Sequence, residues 1–276
     1  MKIIISLTST SIRLSVLKYT LASLLNQSLK ADKILLNISK ENYLIDQGIK
    51  ELPEWLKELH LNNYIQISWV KNTGPYRKLL PAYDICHDDD LIITCDDDVI
   101  YGQDWLLTLV RTAEDFPNCI VCGRARVPVT VKFMAQRYQS YINWPIAKPG
   151  SSGYDFIPTG VSGIVYRKPL LDKSIMESRE FMQLAPKQDD LWFKIAHELK
   201  GIKVVVANDT YKHIYPIEAP GALTAGNAAM SDLPNWSNIV SAVVARLQYK
   251  IKAYLGLSVC DNDRVLKKLS KFKSKF

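Results

Sequence analysis

Strand-type and helix-type patterns alternate along the first half of the chain. Residues 3–7 are apolar except for Ser6 and lead into a run of hydroxyl residues, which predicts a buried first strand. Leucines at helical spacing over residues 13–27 predict an amphipathic helix, and the apolar run at 31–38 predicts a second strand. The chain therefore begins as a strand–helix–strand unit.

The same alternation continues to residue 115. Residues 53–61 predict a short helix, 64–70 a third strand and 77–85 another helix. Residues 91–95 predict a fourth strand, which ends in three aspartates, and residues 103–115 a further helix. Such repeats are typical of a mostly parallel sheet flanked by helices, so we expect an α/β, Rossmann-like fold.

The second half of the chain is less regular. We expect a strand over residues 121–131, a glycine turn and strand over 157–166, a helix over 189–199 and a last core strand over 203–207. Residues 221–234 are rich in small side chains, and we expect them to form a mobile lid.

The acidic cluster Asp96, Asp97 and Asp98 is the strongest chemical signal. In an open parallel sheet, ligands bind beyond the carboxyl ends of the strands, where this cluster falls. Three adjacent carboxylates repel one another and are costly to desolvate, and a hard divalent cation is the simplest compensation. The alternative is an acidic run that faces solvent or caps the following helix.

Six motifs carry a resemblance to a known family: LTST-x-x-R at 7–13, LLNQSLKADKILL at 24–36, YRKLLPAY at 76–83, ITCDDDVIYGQDWL at 93–106, TGVSGIVY at 159–166 and QDDLWF at 188–193. In this order they resemble the GT-A glycosyltransferases, in particular the family-2-like group. The resemblance covers residues 1–215. It implies a GT-A fold and a nucleotide-sugar donor.

The resemblance also implies donor-binding residues. Thr8 and Arg13 would hold the nucleotide base and its phosphates, and Lys78 would touch the donor. Independently of the resemblance, a departing diphosphate gains negative charge, which basic side chains and a cation stabilise. The alternative for Arg13 and Lys78 is that each is an ordinary surface cation.

The resemblance assigns separate roles within the acidic cluster. Asp96 would contact the ribose and also lie near the metal, Asp98 would ligate Mn²⁺ or Mg²⁺, and Asp97 would serve either purpose. A late histidine completes the metal site in some GT-A enzymes, which makes His213 a candidate third ligand. A lone histidine is more often not a ligand.

A second acidic pair, Asp189 and Asp190, stands at a predicted helix start. A sugar hydroxyl attacks well only when a base takes its proton, and this pair resembles the one that supplies the base in inverting family-2-like enzymes. We favour Asp189, with Asp190 as the rival. The alternative is a helix cap.

The remaining candidates are weaker. Gly160 and Gly163 would let the backbone approach a sugar or diphosphate closely, because glycine has no side chain. Trp144 and Tyr154 would stack on an acceptor sugar, although aromatic side chains more often pack in cores. Cys119 and Cys122 have the spacing of zinc ligands, but no second pair of Cys or His residues lies at a suitable distance in the sequence. We therefore expect both to be structural thiols.

Composition and charge refine this picture. The five cysteines among 276 residues favour a reducing compartment, so we expect a cytoplasmic protein. The net charge of +7 favours anionic partners. No nucleic-acid module is recognisable, so we expect no nucleic-acid partner. The sequence does not indicate whether the chain is a monomer or an oligomer.

The predicted organisation has three parts. Residues 1–115 form the nucleotide-sugar-binding half, 116–235 the acceptor-binding and catalytic half, and 236–276 a basic, helical, amphipathic C-terminal extension. In that extension lysines alternate with Leu266, Leu269, Phe272 and Phe276. Such a segment fits peripheral attachment to anionic lipid on the inner face of the cytoplasmic membrane. The alternative is a solvated terminus.

We therefore expect a metal-dependent enzyme that moves a hexosyl unit from a UDP-sugar to a hydroxyl of a glycan or lipid-linked oligosaccharide. We expect inversion, and a role in surface polysaccharide synthesis. One alternative is a sugar nucleotidyltransferase, which usually carries a glycine-rich loop after the first strand; residues 7–13 contain no glycine. The other is a non-catalytic glycan-binding module that holds calcium.

Overall fold

The computed structural model describes residues 1–218 and 239–276. The predicted lid at 221–234 lies outside the described residues. The strands are β1 (Ile3–Thr8), β2 (Lys33–Ile38), β3 (Gln66–Trp69), β4 (Leu91–Thr94), β5 (Val99–Tyr101), β6 (Ile120–Cys122), β7 (Ala125–Arg126), β8 (Thr130–Val131), β9 (Met134–Tyr138), β10 (Ser152–Gly153), β11 (Ile157–Pro158), β12 (Ile164–Tyr166), β13 (Val204–Val206) and β14 (Ile214–Pro216). The helices are α1 (Leu14–Leu25), α2 (Glu54–Leu61), α3 (Leu80–Ile85), α4 (Trp105–Asp115), α5 (Lys173–Glu177), α6 (Phe181–Leu184), α7 (Asp189–Glu198), α8 (Ile239–Tyr254) and α9 (Asp261–Lys273).

The main sheet has eight strands in the order β10-β13-β6-β12-β4-β1-β2-β3. The four strands β1 to β4 run parallel, and β13 runs parallel to β6. Strand β12 is antiparallel to both β4 and β6, and β10 is antiparallel to β13. The predicted mostly parallel α/β sheet is confirmed, with two reversed strands added.

The apolar stripes of the helices explain how the sheet is covered. Leu17, Leu21 and Leu24 of α1 recur at helical spacing and are buried in the same core as the apolar residues of β1, β2 and β4. Trp105 and Leu109 of α4 are buried in that core as well. Burying a leucine side chain fully contributes about 1.5–3 kcal/mol, so these stripes fix the helices on the sheet.

Two segments differ from the predicted elements. Residues 121–131 form the separate strands β6, β7 and β8 rather than one strand. The break follows Gly123, where a Cβ would lie only 2.4 Å from the carbonyl oxygen of Ser162. Strand β5 was not predicted, because its pairing partner β14 lies more than 100 residues away in sequence.

The described residues form two compact units. Residues 1–125 and 147–218 belong to the first, and residues 126–146 and 239–276 to the second. The first unit therefore contains the predicted nucleotide-sugar-binding half and the described part of the acceptor-binding and catalytic half, except for residues 126–146, which group with the C-terminal helices. Asp263 of α9 holds the second unit together, since its carboxylate accepts hydrogen bonds from Ser140 Oγ at 2.7 Å and from the Tyr141 and Val259 backbone amides.

Candidate active site

The parallel pairing of β1 with β4 brings two distant segments together. Ser6 lies opposite Thr94, so both strands end at the same edge of the sheet. Beyond β1, a short 3-10 helix over Ser11–Arg13 precedes α1. Beyond β4 come the three aspartates. The candidate donor-binding residues of the first turn therefore lie beside the acidic cluster.

Arg13 and Asp97 form the first ion pair of the site. Arg13 Nη1 lies 2.7 Å from Asp97 Oδ1 and 3.4 Å from Asp98 Oδ2. Ser9 Oγ also donates a hydrogen bond to Asp97, and Thr20 Oγ1 donates to its carbonyl oxygen. Burial raises the pKa of the Asp97 carboxyl, and Arg13 opposes the rise. Asp97 thus fixes the acidic loop against α1.

Lys78 lies between two carboxylates from different elements. Its Nζ is 2.8 Å from Asp96 Oδ1 and 3.2 Å from Asp189 Oδ2. Burial alone would lower the pKa of Lys78, but the charges of Asp189 and Asp96 outweigh it and raise the pKa. Lys78 therefore stays charged and joins the end of β4 to the start of α7.

Gly160 lies where these groups converge. A methyl group there would lie 2.8 Å from Lys78 Nζ, 3.2 Å from Asp96 Oδ1 and 3.5 Å from Asp190 Oδ1. The Gly160 backbone amide donates a hydrogen bond of 3.2 Å to Asp190 Oδ2. The bare Cα of Gly160 thus faces one cation and two carboxylates supplied by three separate segments.

The two carboxylates of the second acidic pair differ in surroundings. Burial raises the pKa of Asp189, and Lys78 opposes the rise. Burial and the neighbouring charge of Asp189 raise the pKa of Asp190 to about 7. Asp189 is buried and Asp190 is half-buried. Asp189 is therefore held in an ion pair, whereas Asp190 is the more accessible of the two and exchanges its proton near neutral pH.

The acidic cluster retains excess negative charge. Arg13 and Lys78 form ion pairs with four carboxylates, those of Asp96, Asp97, Asp98 and Asp189. Burial, together with Asp96 and Asp97 and against the effect of Arg13, raises the pKa of Asp98 to about 6. Protein cations therefore already balance part of the charge of the aspartates, and the metal ion stays a prediction.

The residues fit a divalent cation that is shared with a substrate. Within 1–218 and 239–276, no group of three His, Cys, Asp or Glu side chains is arranged to hold a metal ion. Mg²⁺ commonly takes one or two carboxylates and completes its shell with phosphate oxygens and water. Asp98 and Asp96 suit that arrangement, since both are partly exposed and the two protein cations are shared among four carboxylates.

The structure does not bring His213 to Asp98. Strand β14 pairs with β5 so that Pro216 lies opposite Val99, and Ile217 donates its amide hydrogen to the Asp98 carbonyl at 2.7 Å. His213 lies at the other end of this pair, about 13 Å along the strand, where its carbonyl accepts from Gly102. His213 as a third metal ligand stays a prediction that this backbone register does not favour.

Two other predicted site residues have protein partners. Thr8 Oγ1 donates a hydrogen bond of 2.6 Å to the Asn37 carbonyl of β2. Gly163 has φ 86° and is buried, and a Cβ there would lie 2.5 Å from Trp105 Cζ2. The glycine is needed at 163 for packing against α4 rather than for approach to a ligand.

The predicted acceptor-stacking residues lie elsewhere. Trp144 is buried in the second unit and donates its indole N–H to the Gln139 carbonyl at 3.0 Å, so it is a core residue. Tyr154 lies beside Lys203, next to the pairing of Gly153 with Val204 at the start of β13. The start of β13 lies at one end of the strands of the sheet, and the acidic cluster lies at the opposite end, after β4.

The sequence reading missed a buried ion pair that supports the site. Arg77 Nη2 lies 2.9 Å from Asp46 Oδ2 and also donates to the Ser9 carbonyl at 3.3 Å. Asp46 accepts further hydrogen bonds from the amides of Ser11 and Gly48. The only sequence signal was the basic pair at positions 77 and 78, and nothing in the pattern marked Asp46 as its partner.

The fold is a mostly parallel α/β sheet with an acidic cluster at the edge where β1 and β4 end. A family model described as Glycosyl transferase family 2 matches residues 6–178, which is more than half of the chain. The chain therefore belongs to glycosyl transferase family 2. It spans 60% of one of the S. aureus TarS chains that it matches. The predicted family resemblance is confirmed.

Solved structures add to the picture of the fold. S. aureus TarS 1-349 in complex with UDP-GlcNAc matches with a TM-score of 0.51 and 13% identity, over 99% of this chain and 73% of that one. Another TarS 1-349 structure matches with 0.49 and 14% identity, over 79% and 60%. A 4-diphosphocytidyl-2C-methyl-D-erythritol synthase matches with 0.45 and 8% identity, over 79% and 92%. A comparison with curated proteins found no match.

Proposed function

We propose that this glycosyltransferase moves a hexosyl unit from a UDP-sugar to a hydroxyl of a glycan or lipid-linked oligosaccharide, in the synthesis of a surface polysaccharide. The observation that carries the proposal is the convergence of Lys78, Asp96 and Asp190 at Gly160. These groups supply what the reaction needs, a cation for the leaving diphosphate and a base for the acceptor. The UDP-GlcNAc complex of TarS supports a UDP-linked donor.

The donor is proposed to bind at the edge where β1 and β4 end. Arg13 and Lys78 would attract the diphosphate, and the backbone beyond Thr8 would line the nucleotide. Asp98 with Asp96 would hold Mn²⁺ or Mg²⁺, which supplies charge neutralisation for the leaving UDP. Arg13 already contacts Asp98, so it lies close enough to reach the same phosphates.

We assign the catalytic base to Asp190, with Asp189 as a positioning residue. The ion pair between Lys78 and Asp189 orients the first turn of α7. One oxygen of Asp190 accepts from the Gly160 amide, and the other faces the point where Lys78 and Asp96 meet. A pKa near 7 suits a base that must take a proton at neutral pH. A single base on the acceptor side fits direct displacement with inversion.

The experiment measures UDP release from a panel of UDP-sugars with Mn²⁺, together with donor affinity by calorimetry. For Asp190→Asn we expect unchanged donor affinity and a loss of turnover of about a hundredfold or more. Asp115→Asn removes an exposed carboxylate of α4 and is the matched control, with turnover unchanged. Full turnover in Asp190→Asn would refute the base assignment, and no UDP release by the wild type with any donor would refute the transfer reaction.

The expected cytoplasmic, peripheral location stays a prediction. No helix in the described part of the chain is long and apolar enough to span a membrane. The proposed lipid-linked acceptor would bring the enzyme to a membrane surface, and the charge of the chain suits an anionic one.

A further inference from the structure

The second unit concentrates the positive charge of the molecule. Its described residues, 126–146 and 239–276, carry twelve Lys or Arg side chains and two Asp side chains. The rest of the chain carries 23 basic and 26 acidic side chains, so the net charge of +7 comes from this unit. Such segregation points to an anionic partner at the second unit rather than to charge spread for solubility.

The apolar residues of the tail cannot all serve as lipid anchors. Val265, Leu269 and Phe272 are buried on one face of α9, and the basic residues of the helix lie outside that face. The prediction that Leu269 and Phe272 insert into lipid is therefore wrong for the folded unit. Of the predicted anchors, Phe276 is largely exposed.

Helix α8 instead presents an exposed apolar stripe. Ala253 is buried, and its carbonyl accepts from the Ser140 amide, so this side of α8 faces the segment 126–146. Leu247, Ile251 and Tyr254 are exposed and recur at spacings of four and three, at about 100° to 160° around the helix from Ala253. We call these three residues the α8 stripe.

Lys250 borders the α8 stripe, and two further cations lie farther round the helix. At about 100° per residue, Lys250 and Arg246 lie about 70° and about 110° from the centre of the stripe on one side, and Lys252 lies about 130° from it on the other. The helix ends at Tyr254. Two residues later Gly256 has φ 67°, and the Leu257 amide donates a hydrogen bond to the Lys252 carbonyl. This ending leaves Leu255 and Leu257 exposed next to the stripe.

We propose that the α8 stripe docks the enzyme on an anionic lipid bilayer, with α8 lying in the plane of the interface. An apolar stripe bordered by Lys and Arg is the pattern of interfacial helices, in which the stripe enters the acyl boundary and the cations meet lipid phosphates. A second copy of the chain fits less well, because two such faces would bring like charges together. The inference is independent of the proposed sugar transfer.

The test uses the full chain and cosedimentation with vesicles of phosphatidylcholine alone or mixed equally with phosphatidylglycerol. Leu247→Gln/Ile251→Gln removes the stripe at positions 58% and 49% exposed. The matched control is Leu61→Gln/Ile85→Gln, at positions 76% and 56% exposed in the first unit. Exposed positions contribute little packing, so both variants should fold, which circular dichroism checks.

The expected result is binding of the wild type to anionic vesicles, reduced tenfold or more by the stripe variant and unchanged by the control. UDP release from a UDP-sugar should be equal in all three proteins, which separates this test from that of the transfer reaction. Equal vesicle binding by both double variants would overturn the proposal, as would equal binding to neutral vesicles. A wild-type dimer that the stripe variant dissociates, without vesicle binding, would assign the stripe to a second copy.

Discussion

Replacing Lys78 should lower the free energy of unfolding, because the buried carboxylate beside it loses its cation. Lys78→Met takes away the cation that lies 3.2 Å from the buried Asp189 and 2.8 Å from Asp96. Asp96 is partly exposed and can be solvated, but Asp189 cannot, so the cost falls mainly on Asp189. Breaking a buried pair on one side costs about 3–5 kcal/mol, and we expect about 3 kcal/mol here.

A double-mutant cycle with Asp189→Asn isolates this interaction. Asp189→Asn alone leaves Lys78 paired with Asp96 and should cost about 1–2 kcal/mol. The double variant removes both charges, so its cost should fall short of the sum of the single costs by about 2 kcal/mol. Urea unfolding at pH 7.5, followed by tryptophan fluorescence, measures each free energy of unfolding.

The pH dependence gives a second readout of the same pair. Without Lys78, the main opposition to the burial that raises the pKa of Asp189 is lost. A carboxyl whose pKa is raised by folding costs stability above that pKa, and the cost fades as pH falls and the group takes a proton. The deficit of Lys78→Met should therefore shrink between pH 7.5 and pH 5.

The control cycle uses the exposed pair of Lys173 and Glu177 on α5, whose charges are 3.6 Å apart. Lys173→Met and Glu177→Gln should be additive within about 0.5 kcal/mol. If Lys78→Met and Asp189→Asn were equally additive, the argument that Lys78 joins the two acidic groups would be refuted.

Three further predictions follow from buried groups. Burial and Lys194 lower the pKa of His197 to about 4. The free energy of unfolding should therefore be about 2 kcal/mol lower at pH 5 than above pH 6.5. Acid titration of His197→Leu should lack that loss. Gly163→Ala combines a left-handed φ with contact against the Trp105 ring and should lower unfolding free energy by about 3 kcal/mol or more. In Gly160→Ala the new methyl group meets the ends of side chains rather than backbone, with Lys78 Nζ at 2.8 Å and Asp96 Oδ1 at 3.2 Å. The variant should keep stability within about 1 kcal/mol yet lower UDP release, and normal release would contradict the assigned convergence.

The elements that the sequence predicted well are those with uninterrupted local patterns. The strands β1 and β4 and the helix α1 follow from apolar runs and leucine spacing alone. The break after Gly123 and the pairing of β5 with β14 could not be predicted from local patterns, because each depends on a backbone contact with a segment far along the chain.

In the site, the types of the functional residues could be predicted from the sequence, whereas their interaction partners could not. Asp96 to Asp98 and the acidic pair at α7 were found from sequence, because charged residues stand out next to apolar runs. Their partners were not, since Arg13 lies 84 positions from Asp97 and Lys78 lies 111 from Asp189. Spacing therefore suggested that a metal must balance charges that protein cations partly balance. The position of His213 relative to Asp98 could not be predicted for a related reason, because strand register is not visible in the sequence.

The central claim is that UDP-sugar and a divalent cation bind together at the sheet edge formed by Asp96 to Asp98. Calorimetric titration of UDP-GlcNAc, with and without Mn²⁺, into the wild type and Asp98→Asn tests it most directly. We predict that Mn²⁺ strengthens donor binding to the wild type by tenfold or more and has no such effect on Asp98→Asn. Equal strengthening in both proteins, or donor binding that ignores Mn²⁺ altogether, would contradict the claim.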